Sequence, residues 1–76
     1  MRDVRAERLL TIRELADRAG VAPSTIFMIE AGRSIPRPSV ARALAEALRA
    51  DPRGIVEFQR TIRRLAGHAT RPERPA

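Results

Sequence analysis

Apolar positions along this chain recur at helical rather than alternating spacing, and they fall into five short segments. In the first, Arg2 to Leu10, the pattern turns Val4 and Leu9 inward, with Ala6 beside them, and sets Arg and Glu outside. The second, Thr11 to Ala19, opens with a capping box: a hydroxyl at Thr11 and a carboxylate three residues on at Glu14. Leu15, Ala16 and Ala19 then follow on one face. Gly20 supplies the permissive backbone for a sharp turn, and Val21 returns to the core. The third segment, Pro23 to Ala31, starts with Pro at the first helical position, carries Ile26 and Ile29 inward, and stops at Ala31-Gly32.

Arg33 to Arg37 reads as a loop, with Pro36 and Pro38 as breakers. Ser39 is expected to cap a fourth helix, Val40 to Arg49, whose apolar stripe is Val40, Leu44, Ala45 and Leu48. Asp51-Pro52 repeats the cap-then-proline signal and is expected to start a fifth helix reaching about Leu65. Ile55, Val56, Phe58, Ile62 and Leu65 are its apolar residues, and Gly54 weakens its start. The run GHATRPERPA from Gly67 has little to bury and reads as a disordered tail. The expected fold is all-α, a bundle of four to five short helices. One domain is expected over residues 1–66, followed by the tail at 67–76.

Length limits this to one small domain: 76 residues bury only about 60% of their unfolded surface, so the core must be thin. Net charge is +6 and the pI is about 11.7, which favours an acidic partner such as nucleic acid. All fifteen basic residues are Arg. Coding bias explains most of the missing Lys, so charge and its placement are the better signal. With no Cys there is no disulfide, thiol nucleophile or zinc-finger ligand set. The single His68 lies in the polar tail. No nucleophile–base pair, metal-ligand cluster or phosphate-cradling Gly loop is visible, so neither enzymatic activity nor a cofactor or metal is expected. No membrane span or signal peptide is apparent either, and a soluble, cytoplasmic protein is expected.

Helix, tight turn and helix between Thr11 and Ala31 is the layout in which the second helix reads the DNA major groove. The residues that carry it are Thr11, Glu14-Leu15-Ala16, Ala19-Gly20-Val21, Ser24-Thr25-Ile26, Ile29-Glu30, Gly32-Arg33, Pro36-Arg37, Leu44-Ala45 and Ala47-Leu48. In this pattern the chain resembles the Cro/phage-repressor (XRE) helix-turn-helix family over roughly residues 2 to 60. The resemblance implies sequence-specific duplex DNA binding, usually as a dimer on a pseudo-palindromic site, and transcriptional control.

The base-facing candidates are Pro23, Ser24, Phe27 and Met28, which lie off the Val21/Ile26/Ile29 core face, together with Thr25, which can bond locally, contact a phosphate or contact a base methyl. Ser24 can hydrogen-bond a base edge or a phosphate, whereas Met28 offers only apolar contact, most naturally to thymine methyls. The resemblance places a polar base reader more often at the Met28 position. Phe27 and Met28 are alternatively a protein-contact patch. The phosphate candidates are Thr11, Ile12 and Arg13 at a helix N-terminus, with Arg33 and Arg37 on the loop. At Ile12 the family often has a Gln. Glu30 closes the recognition helix at the wrong end of its dipole and needs a cation; the resemblance implies an ion pair with Arg5. A dimer interface through Ile55, Phe58, Ile62 and Leu65 is the weaker expectation.

The leading function is a DNA-binding transcriptional regulator. The alternative is the antitoxin of a toxin–antitoxin pair, binding both operator DNA and a toxin protein. A module that only contacts protein is the third possibility.

Overall fold

A computed structural model describes the backbone of residues 1–70 and the side chains of residues 1–67. The described residues form five α-helices and no strand: α1 (Arg2–Glu7), α2 (Ile12–Ala19), α3 (Pro23–Glu30), α4 (Pro38–Leu48) and α5 (Gln59–Thr70). Two single 3₁₀ turns, Pro52–Gly54 and Val56–Phe58, separate α4 from α5.

Helix α1 ends three residues before Leu10, where the sequence pattern carried it. The Leu9 N–H donates to the Ala6 carbonyl at 2.9 Å and the Leu10 N–H reaches back to Arg5 at 3.1 Å. This closure holds Leu9 in the left-handed region at φ 56°. The turn swings Leu9 outward, leaving it 88% exposed, and drives Leu10 into the core instead. The expectation that Leu9 faces inward is therefore corrected, and so is that for Ala6, which is exposed; Val4 is half-buried. Arg8 locks the turn against the opposite helix, donating from Nε to the Leu48 carbonyl at 2.9 Å and from Nη2 to that of Arg49 at 3.3 Å.

Helix α2 begins as its sequence indicates. The Glu14 N–H donates to Thr11 Oγ1 at 3.0 Å, and the Thr11 N–H donates to Glu14 Oε1 at 2.9 Å. Accepting the Thr11 backbone bond, and then stabilisation by the Thr11 hydroxyl, lowers the Glu14 pKa. A lowered carboxyl pKa stabilises the fold above the ordinary Glu value, and that contribution is lost as pH falls through the lowered one. Gly20, at φ 74°, makes the tight turn into α3. Helix α3 closes on Gly32, also left-handed, with the Arg33 N–H donating to Met28 at 2.9 Å and the Gly32 N–H to Ile29 at 3.1 Å.

Helix α4 starts earlier than expected. Pro38 sits in its first turn and Arg37 is the N-cap; Ser39 is inside the helix and caps nothing. Proline here begins a helix rather than breaking one, because the first-turn N–H it lacks has no intrahelical acceptor anyway.

The expected continuous helix from Pro52 is interrupted. Asp51 accepts from the Arg53 N–H at 2.9 Å, the Gly54 N–H folds back to Asp51 at 3.0 Å, and Ile55 is extended. The two tight turns let Ile55 and Phe58 both point beneath α4. Helix α5 then runs to Thr70, beyond the expected domain end at residue 66; residues 71–76 of the expected tail lie outside the described residues.

Leu15, Ala16, Ile26, Ile29, Leu44, Ala45, Leu48, Ile55 and Phe58 make one core, completed by Met1, Leu10 and Ala41. Helix α2 packs against both α3 and α4. The ammonium group of Met1 pairs with Glu57, closing the chain's start over the second 3₁₀ turn. Ile55 and Phe58 are fully buried within the single chain. They offer nothing to a second copy, which corrects their place in the expected dimer interface; the reason is the break at Ile55, which aims both side chains at the domain's own core.

Phe58→Ala should cost about 3–5 kcal/mol, as for a large side chain removed from a filled core. The neighbouring exposed Val56→Ser should stay within about 0.5 kcal/mol of wild type. Urea unfolding of both variants checks the assignment.

Candidate nucleic-acid interface

Ile26 and Ile29 are both fully buried, and that sets the rotation of α3. At 3.6 residues per turn, Ser24 is directed away from them, with Phe27 and Met28 on either side of it. Pro23, Ser24 and Phe27 are exposed, Phe27 to 57%, while Thr25 and Met28 are half-buried at the flanks. One short helix thus presents a small hydroxyl between an aromatic ring and a thioether. No side chain caps its N-terminus, where Ala22 stands.

The N-terminus of α2 is arranged differently from the sequence expectation. The Thr11 N–H and the Glu14 N–H are both consumed by the capping box. The N–H groups of Ile12 and Arg13, in the first turn, have no acceptor. Ile12 packs its side chain against the core, so only its backbone is available to an anion. Arg13 is exposed beside it. Arg33 and Arg37, on the loop between α3 and α4, are exposed and make no ion pair among the described residues. This surface therefore has cations without counter-charges and a partly unsatisfied helix end, both of which favour phosphate.

Glu30 is the exception to the positive surface, and the structure removes its charge from view. Its side chain is 3% exposed. Arg5 donates to it twice, from Nε at 2.9 Å and from Nη2 at 3.1 Å, and spends Nη1 on the Leu10 carbonyl at 2.9 Å. The hydrogen bonds to Glu30 raise the Arg5 pKa further, so the guanidinium stays charged. Arg2 approaches the same carboxylate at 3.9 Å from the exposed side. This fork clamps α1 to the end of α3.

Two structural residues carry no sequence signal of their role. Arg8 satisfies the last carbonyls of α4 across a separation of forty residues in the chain. Thr61, buried in α5, donates its hydroxyl to the Pro36 carbonyl at 2.6 Å and so ties α5 to the loop that bears Arg37. An isolated Arg in an amphipathic helix and an isolated Thr in a basic one look like any other surface residue until the partner element is placed. Among the described residues there is no cluster of acids and histidines fit to hold a metal ion. No described helix is long and apolar enough to cross a membrane.

A family profile described as Helix-turn-helix matches residues 1–55. The HTH-type transcriptional repressor RghR of Bacillus subtilis (strain 168) is 40% identical over 57 residues. That match takes in 74% of this chain and 42% of the repressor, so the chain spans less than half the length of this relative. No solved structure gives a significant match.

Arg5→Met or Glu30→Leu alone should destabilise the fold by about 3–5 kcal/mol, because each strands a partly or fully buried charge. The double variant should lose less than the two singles summed, leaving a favourable coupling in a double-mutant cycle measured by urea unfolding.

Proposed function

The chain belongs to the helix-turn-helix family whose profile matches residues 1–55, and we propose that it binds duplex DNA and regulates transcription, with α3 in the major groove. The observation that carries this reading is the outward face of α3. Ser24, Phe27 and Met28 stand opposite the buried Ile26/Ile29 pair, on a helix followed directly by a loop whose Arg33 and Arg37 are exposed. The repressor name of the relative from Bacillus subtilis supports the same reading.

In this reading the two kinds of contact divide the work. Arg13, Arg33, Arg37 and the free N–H groups of Ile12 and Arg13 hold the sugar-phosphate backbone and set register. Ser24 reads a base edge by hydrogen bond; Phe27 and Met28 supply apolar contact to thymine methyls. Pro23 stiffens the end of the helix that enters first, and Thr25 sits at the rim nearest the loop. Thr11 acts mainly as the cap that shapes the helix end. A helix of eight residues is only about 12 Å long and covers few base pairs. Two copies related by a two-fold axis, with recognition helices about 34 Å apart, would supply the missing contact. They would meet through residues other than the core-bound Ile55 and Phe58. No observation among the described residues favours the antitoxin alternative.

Arg33→Ala and Arg37→Ala should each weaken binding to every duplex alike and reduce the salt slope by about one. Ser24→Ala and Met28→Ala should instead change which sequences are retained from a randomised duplex pool at about 150 mM salt. If all four variants lost affinity uniformly across sequences, the division into base and phosphate contacts would be wrong.

A further inference from the structure

Between the α3–α4 loop and α5 runs an open groove of about 720 Å³. Its position follows from the buried Thr61, whose bond to the Pro36 carbonyl holds α5 against the loop. Arg63 and Arg64 follow within one helical turn of that anchor and line the groove on the α5 side, while Arg37 lines it on the loop side. A smaller cleft of about 280 Å³ lies along the same loop and reaches Thr25 of α3. Ile35, Pro36 and Arg37 line both. The rim of α3 at Thr25, the loop arginine and the α5 arginines therefore border two adjoining clefts.

Charge decides what this surface can take. Arg37, Arg63 and Arg64 are exposed and make no ion pair among the described residues, and α5 contains no acidic residue from Gln59 to Thr70. A second copy docking this face on itself would set like charges together, although Leu65, 53% exposed, lies among them. The fitting partner is an extended polyanion, and a duplex offers one negative charge per about 1.7 Å of its axis.

We propose that Arg63 and Arg64 bind DNA phosphates beyond Arg37, so that α5 extends the backbone contact of this domain past the helix-turn-helix unit. The inference rests on the DNA-binding reading given above. It favours nucleic acid over an acidic protein segment because the groove shares Arg37 with the cleft that reaches α3, and Arg37 is the residue assigned to the DNA backbone in that reading. It also gives Thr61 a part in binding: it is the positioning residue that brings the α5 arginines to the loop.

The test is the salt dependence of duplex binding by fluorescence anisotropy between about 50 and 200 mM salt. Wild type, Arg63→Ala, Arg64→Ala and the double variant are compared with Arg53→Ala. Arg53 pairs with Asp51 beyond the other end of α4, about 16 Å of helix away, and its loss changes net charge equally. Each α5 substitution should lower the slope by about one, so that the loss of affinity over this range shrinks about threefold per arginine. Sequence preference should not change, Arg53→Ala should keep the wild-type slope, and Arg63→Lys/Arg64→Lys should largely restore it. Thermal melts confirm that the variants fold. A wild-type slope in the double variant overturns the inference while leaving the DNA reading intact; loss of poly-glutamate binding in that variant would then assign the groove to an acidic protein. Failure of wild type to bind any duplex overturns both.

Discussion

The clamp between Arg5 and Glu30 is the constraint on which the rest of this domain depends. A carboxylate at the C-terminal end of α3 opposes the helix dipole and, left exposed, would repel a polyanion. Burying it alone would be worse, since an unpaired charge out of water costs several kcal/mol. The two-pronged bond from Arg5 resolves both problems and in doing so fixes α1 against α3. The third donor of Arg5 satisfies the Leu10 carbonyl, so the same guanidinium also shapes the passage from α1 into α2. One side chain thereby ties together two helices and the connection to a third, in a domain with little core to spare.

The core does the remaining work with few large side chains. Ala16, Ala41 and Ala45 are buried where helices meet, so α2 and α4 pack closely around Leu15, Leu44 and Leu48. Two left-handed residues that are not glycine, Leu9 and Arg49, close α1 and α4. Each costs roughly 1–2 kcal/mol of backbone strain. Arg8, at the end of α1, satisfies the Leu48 and Arg49 carbonyls that the closure of α4 leaves open. The outer face of α3 is free of such duties: the side chains of Ser24 and Phe27 are exposed and lie outside the core.

Much of the helix-turn-helix unit was legible before any coordinates. The capping box at Thr11 and Glu14, the Gly20 turn, the Pro23 start and the Ile26/Ile29 face are local signals, each set by residues within one or two turns. Their geometry appears where the pattern placed it. The exposure of Pro23, Ser24 and Phe27 was legible for the same reason, because knowing which two residues of a helix are buried determines which are outside. The second half was read less well. Local pattern favours Ser39 over Pro38 as a start signal and draws the segment after Asp51 as one helix; before the unit, it turns Leu9 inward. In each case contacts with residues far away in the chain, not the local pattern, set the outcome.

By itself, then, the sequence determined the helical class, the two-helix unit with its turn, the polarity of α3 and the excess of positive charge, because these follow from backbone propensity, capping and side-chain period over short stretches. Only the tertiary structure decided that Leu10 rather than Leu9 is buried, that Ile55 and Phe58 complete the domain's own core, and that Thr61 brings Arg63 and Arg64 beside Arg37. These depend on contacts between residues far apart in the chain. Apolar or charged character along a single helix is the same whether its partner is solvent, another helix or a ligand, and only the placement of the neighbouring element tells them apart.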